Sequence, residues 1–218
     1  MKGKIYVSIA EKTLQECIRA LEGLSFAEVR IDALEGKPSA QEIREIFSQP
    51  VSLIATCRAG KFSQQEREEM LLLAIEAGAK FVDVELESGR EAVQKIAQKA
   101  HAHSCKAIVS HHDFEKTPSS EELEGIVSRC FEAGADIAKV ACKVNEQEDN
   151  ARLLGLLGEG RKIIVIGMGS KGKITRVVAP LLGSEFTFAS AGKGKETADG
   201  QMEKEEMGKI MREMGALI

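Results

Sequence analysis

EAGAKFVDVE (76–85) and EAGADIAKVA (132–141) are two copies of one local pattern. In each, a segment with helical spacing ends at Glu-Ala-Gly-Ala and a short apolar, β-branched run follows. The same alternation extends in both directions along the chain. Strand-like runs occupy 4–9, 26–31, 51–57, 80–86, 105–110, 136–141, 162–167 and 186–190. Helical spacing fills 11–22, 39–48, 63–77, 89–103, 119–133, 145–157, 173–182 and 202–216. Eight βα units repeating roughly every 27 residues predict a (β/α)8 TIM barrel. Proline occurs four times and no linker-like stretch divides the chain, so residues 1–218 read as a single domain.

A doubly wound open sheet is the competing architecture. The barrel is favoured because polar residues recur at the C-terminal end of the strands: Ser8, Glu28, Arg30, Asp32, Arg58, Glu85, His112, Lys139 and Ser190. A barrel gathers those ends at one mouth, whereas an open sheet spreads them along an edge.

Composition removes several function classes. With 43% hydrophobic and 29% charged residues the chain is neither disordered nor low-complexity. A 4% aromatic content without Trp argues against base-stacking platforms, and a formal charge of −4 argues against nucleic acid as partner. No apolar run approaches the roughly 20 residues that span a bilayer, so no membrane partner is expected. MKGKIYVSIAEK reads as a first strand and not as a signal peptide. The five cysteines form no CxxC pair, and four lie within apolar runs, which points to a reducing, cytoplasmic setting.

Lys139 is the most informative position, because it interrupts DIAKVA, a strand that should be buried on both faces. It reads two ways: as an interior ion pair with Glu85 or Glu28, or as an amine that attacks a ketone to form a Schiff base. His112 ends the preceding strand and is an acid/base candidate, while the adjacent His111 faces the other way and reads as structural. No HExxH or Cys/His cluster is present, so no metal is expected. Glu28 and Arg30 share one side of strand two. Arg58, after strand three, and Arg176, after strand seven, add guanidinium groups near the mouth, which favours an anionic substrate. GMGSKG (167–172) is a literal GxGxxG, but it occurs late in the chain. A phosphate site or a cover loop competes there with a dinucleotide fingerprint.

These residues resemble, in order and over essentially the whole chain, the type I 3-dehydroquinate dehydratases: VSIA, EVRID, ATCR, DVEL, SHHDFEKTP, ADIAKVA, the Gly-rich loop with ITR, and TADGQ. SHHDFEKTP and ADIAKVA together make the resemblance specific. It implies a shikimate-pathway hydro-lyase that acts on 3-dehydroquinate without a cofactor and pairs as a homodimer. Lys139 would form the imine and His112 would be the general acid/base. Ser8, Glu28, Arg30, Arg58, Arg176, Thr197 and Gln201 would bind substrate, with Arg176 on its carboxylate and the loop 192–201 folding over the mouth. There are departures. Phe62 stands where the family often has Glu, which leaves Glu85 as the substitute to orient His112. Thr197 stands where Ser is common and keeps the hydroxyl. Asp199 stands where Pro is common, which predicts a looser loop.

Overall fold

Tyr6, Phe26, Phe81 and Phe186 meet ring to ring in the computed structural model, which describes residues 4–158 and 160–215. The Tyr6 ring lies 4.5 Å from Phe186, 5.3 Å from Phe26 and 6.0 Å from Phe81 between centroids. They come from four different strands, and only a closing sheet brings them together. The strands are β1 (Lys4–Ile9), β2 (Phe26–Arg30), β3 (Ser52–Thr56), β4 (Phe81–Glu85), β5 (Lys106–Asp113), β6 (Ile137–Lys143), β7 (Ile163–Met168) and β8 (Phe186–Ser190). All are parallel, in the order β7-β6-β5-β4-β3-β2-β1-β8. At the seam Glu185 N–H donates to the Ile163 carbonyl at 3.0 Å, so the barrel is nearly closed.

Each strand is followed by a helix: α1 (Leu14–Leu21), α2 (Ala40–Phe47), α3 (Gln64–Glu76), α4 (Arg90–Ala102), α5 (Ser120–Glu132), α6 (Gln147–Leu154), α7 (Lys173–Leu181) and α8 (Lys204–Glu213). Four of them start on reciprocal capping boxes, Thr13/Glu16, Ser39/Glu42, Ser63/Glu66 and Ser119/Glu122. Each box satisfies two backbone donors that the first helical turn leaves unpaired. None of the helices among the described residues is long and apolar enough to cross a membrane. The last residue of the helical segment expected at 202–216 lies outside the described residues.

Period-two alternation divides every strand between two environments. Outward residues such as Val29, Leu53, Val82, Val109 and Val140 pack against Ile43, Met70, Val93 and Leu123 of the helices. Each fully buried aliphatic side chain there contributes roughly 1.5–3 kcal/mol. The inner face is layered. Aromatic and aliphatic residues form the floor, then come Ser8, Glu28, Thr56, Asp83, Ser110 and Lys139, all buried. Arg30, Arg58, Glu85 and His112 stand at the mouth, where a cavity of about 430 Å³ opens. The apolar floor gives the barrel its core, and the layers above it are left to chemistry.

β5 runs three residues beyond the segment expected from sequence, because its ladder with β6 continues through His111↔Val140, His112↔Ala141 and Asp113↔Cys142. α6 is shorter than expected, since the Asp149 carboxylate caps it by accepting from Asn145 N–H at 2.7 Å and Glu146 N–H at 3.0 Å. All five cysteines are free and buried. Burial pushes their thiols up to about 12, which makes them packing groups and not nucleophiles.

Candidate functional site

Asp83 organises the buried polar layer beneath the cavity. Its carboxylate accepts from Arg58 Nη1 and Nη2, both at 2.9 Å, from Ser110 Oγ at 2.6 Å and from Lys139 Nζ at 2.8 Å. Burial raises the Asp83 carboxyl, but the charges of Arg58 and Lys139 overcome burial and hold it well below the usual carboxylate range. Lys139 is 5% exposed. Its Nζ is also 3.7 Å from Glu28 Oε1 and 4.2 Å from the centre of the Phe188 ring. Of the two ion-pair partners expected from sequence, Glu28 is therefore present, and Asp83 takes the place read for Glu85.

Glu28 is held from both sides by Ser8 Oγ at 2.8 Å and Thr56 Oγ1 at 2.9 Å. The Ser8 hydroxyl in turn accepts from Gln201 Nε2 at 3.3 Å. The Gln201 amide oxygen accepts from Thr197 N–H at 2.8 Å and Thr197 Oγ1 at 3.2 Å. A hydrogen-bonded chain thus runs from the loop after β8 across the mouth to β3. Arg30 is turned onto Asp32, with Nε–Oδ1 at 3.0 Å and Nη2–Oδ2 at 2.6 Å, and still lines the cavity.

His112 faces the cavity, while His111 points outward and hydrogen-bonds Glu87. Burial, reinforced by the positive charges of Arg58 and Lys139, holds the His112 imidazole well below its ordinary value, so it is neutral near pH 7. Its Nδ1 is 3.9 Å from Glu85 Oε1, beyond hydrogen-bond reach, and has no hydrogen-bond partner among the described residues. Glu85 is instead occupied by Arg58 at 3.7 Å, Arg67 at 3.5 Å and Ala59 N–H at 3.2 Å. The ring is flanked by Phe114, stacked at 5.9 Å and 12° although 73% exposed. Phe62, which stands where the family often has Glu, packs half-buried against the hydrophobic core.

Arg176 is a cation 1% exposed with no ion pair among the described residues. Its Nη2 donates to the Asp199 carbonyl at 3.1 Å, and its Nε has no hydrogen-bond partner among the described residues. Burial brings the guanidinium down to about 10, with Asp199 opposing, so it remains charged near neutral pH. A buried cation that has no counterion among the described residues and opens to a cavity can receive an anion.

The glycines of GMGSKG have a packing role. A Cβ on Gly172 would lie 2.4 Å from the Gly167 carbonyl carbon, so the two backbones touch where β7 turns into α7. Asp199, where a looser loop is expected, makes two contacts: its carboxylate accepts from Lys143 Nζ at 2.6 Å and its carbonyl from Gly169 N–H at 3.2 Å. Among the described residues, no cluster of three or more His, Cys, Asp or Glu side chains is arranged to hold a metal ion.

Sequence reasoning missed Asp83, in the buried layer beneath the cavity, and Phe114, which lines it. The signal for Asp83 was in the repeat, since it occupies the same place in EAGAKFVDVE that Lys139 occupies in EAGADIAKVA.

Comparison with known proteins agrees with this geometry. Residues 5–218 match the family model described as type I 3-dehydroquinase. The chain is 41% identical to the 3-dehydroquinate dehydratase of Methanothermobacter thermautotrophicus, covering 98% of each chain. It is 39% identical to that of Methanosarcina acetivorans, over 96% of this chain and 94% of the relative. The crystal structure of the type I enzyme from Clostridium difficile, with covalent modified comenic acid, superposes with a TM-score of 0.87 at 27% identity, over 98% and 92% of the two chains. A 3-hexulose-6-phosphate synthase from Salmonella typhimurium, at 18% identity and a TM-score of 0.63, shares the barrel fold.

Proposed function

The chain belongs to the type I 3-dehydroquinase family, and on that premise we propose that it dehydrates 3-dehydroquinate to 3-dehydroshikimate, the shikimate-pathway reaction, through a Lys139 Schiff base with His112 as acid and base. The observation that carries this reading is that Lys139, His112 and Arg176, which has no ion pair among the described residues, open into one cavity. Each supplies what the reaction needs: a nucleophile, a proton carrier and an anchor for a carboxylate.

Neutral His112 takes a proton from the Lys139 ammonium, the freed amine adds to the C3 ketone, and the carbinolamine takes that proton back from His112 as it loses water to give an iminium. That cation acidifies the neighbouring C2–H, and neutral His112 removes the proton to leave an enamine. The enamine pushes out the C1 hydroxyl, which takes the proton from His112 and departs as water. A second water then hydrolyses the iminium, freeing product and amine. The net change is one water eliminated, and the iminium is the electron sink, so the scheme calls for no metal or organic cofactor. Arg176 grips the C1 carboxylate, while Ser8, Glu28, Arg30, Arg58, Thr197 and Gln201 bind the rest of the substrate.

Buried, unpaired cysteines support a reducing, cytoplasmic setting. Homodimeric pairing follows from the family resemblance and is tested by sedimentation equilibrium. The activity is tested by incubating the chain with 3-dehydroquinate and following the conjugated enone of the product. Turnover is expected with the wild type and is expected to be lost in Lys139→Ala. Wild-type protein that leaves the substrate intact overturns the reading.

A further inference from the structure

Lys143, at the end of β6, and Asp199, in the loop after β8, are 56 positions apart, yet their side chains meet at 2.6 Å. Lys143 is the last residue of β6, four positions after Lys139, and its backbone is seated firmly. Its carbonyl accepts from Thr117 Oγ1 at 2.8 Å, and the next residue, Val144, donates its N–H to the Met168 carbonyl at 3.1 Å. The side chain passes over Gly169, where a Cβ would lie 2.9 Å from Lys143 Nζ. Glycine at that place keeps the path open.

Asp199 is fixed at both ends. Lys143 holds the carboxylate, and Gly169 N–H holds the carbonyl. The same carbonyl accepts from Arg176 Nη2 at 3.1 Å. The next residue, Gly200, is pressed against the loop after β7, since a Cβ there would lie 2.4 Å from the Gly169 oxygen. Arg176 has no carboxylate partner and an unsatisfied Nε among the described residues, so the Asp199 carbonyl is what orients its fork.

We propose that the Lys143–Asp199 ion pair is a clasp that positions the Arg176 guanidinium, making Lys143 and Asp199 positioning residues for recognition of the substrate carboxylate. This rests on Arg176 as the carboxylate anchor of the proposed dehydratase. The pair is 34% and 63% exposed at its two side chains, so the solvent screens it. Its effect is geometric: it fixes the carbonyl that aims the fork. The clasp therefore acts on substrate capture, before either Lys139 or His112 does chemistry.

The test is a double-mutant cycle on 3-dehydroquinate turnover with Asp199→Asn, Lys143→Met and their combination, repeated in an Arg176→Ala background. Each single variant should raise KM about twofold to fivefold, the size of an exposed pair, with kcat within about twofold. The double variant should be no worse than the worse single, and raising the salt should bring wild-type KM toward the variants. In the Arg176→Ala background the same substitutions should leave kcat/KM unchanged, because there is no fork left to aim. Additive effects, an undiminished effect without Arg176, or a fall in kcat at constant KM would each overturn the clasp. Wild-type protein without turnover would instead overturn the dehydratase reading beneath it.

Discussion

The Lys139 ammonium and the Asp83 carboxylate face each other at 2.8 Å in the polar layer of the barrel, directly above the aromatic floor. Asp83 is 1% exposed and also takes both nitrogens of the Arg58 fork. It is the shared counterion of two cations that line the cavity, and it keeps the lysine side chain extended beside Glu28.

Removing that counterion leaves two cations without their common partner. Asp83→Ala should destabilise the fold by about 3–5 kcal/mol, the usual result of breaking a buried pair from one side. Urea unfolding at pH 7 measures this. The pH dependence has a defined sign. Because the folded carboxyl is held below its unfolded value of about 4, its contribution is full above that pH and is lost as pH falls toward the folded value. The wild-type and Asp83→Asn stabilities should therefore converge in acid. A gap that widens below pH 4 contradicts this account of Asp83.

His112→Ala should lower kcat by roughly two to four orders of magnitude while an imine still forms, since the nucleophile is intact. His111→Ala should stay near wild type, because that ring binds Glu87 outside the cavity. The base must be neutral, and burial holds His112 well below its ordinary value. The acid limb of kcat/KM should therefore fall below about pH 6.5, with a flat profile through neutrality. A limb centred at or above that pH, or an inactive His111→Ala, assigns the proton transfer elsewhere.

Phe114 stacks on His112 while mostly exposed, so Phe114→Ala should cost little stability. Losing one aromatic contact, worth about 0.5–1.5 kcal/mol, should reduce kcat by up to about tenfold. Water reaching the ring should also move the acid limb of the pH profile upward. A variant with unchanged kcat and pH profile would show that the stacking does not hold the imidazole.

Arg176→Ala should weaken kcat/KM by roughly 30-fold to several thousand-fold, the effect of about 2–5 kcal/mol from a desolvated charged contact. Arg176→Lys keeps the charge but loses the planar fork and should remain clearly impaired. Gln201→Ala removes a neutral hydrogen bond to Ser8, on the order of 1 kcal/mol, and should do less. If Arg176→Ala is no worse than Gln201→Ala, the carboxylate is held elsewhere, with Arg58 the next candidate.

The barrel was legible in the sequence because parallel strands buried on both faces leave contiguous apolar runs, and the strand-end polar residues mark one mouth. Strand edges were read to within a residue except at the C-terminal ends of β5 and β6, where cross-strand pairing extends the ladder three and two residues further, in β5 through two histidines that look like loop. The inward face of Glu28, Arg30 and His112 followed from period two. Asp83 was hidden because a lone carboxylate inside FVDVE looks subordinate to Glu85, although both share a face and Asp83 reaches deeper. The stacking of Phe114 depends on how the chain turns after β5, which periodicity does not encode. The Lys143–Asp199 contact is set by loop geometry and has no sequence period to announce it.

The central claim is a covalent bond between substrate and Lys139. Incubation with 3-dehydroquinate and borohydride, followed by peptide mass spectrometry, should find one reduced adduct on the peptide containing DIAKVA, and Lys139→Ala should abolish it. An adduct that persists in that variant, or one that maps to Lys143 or Lys106, would contradict the account.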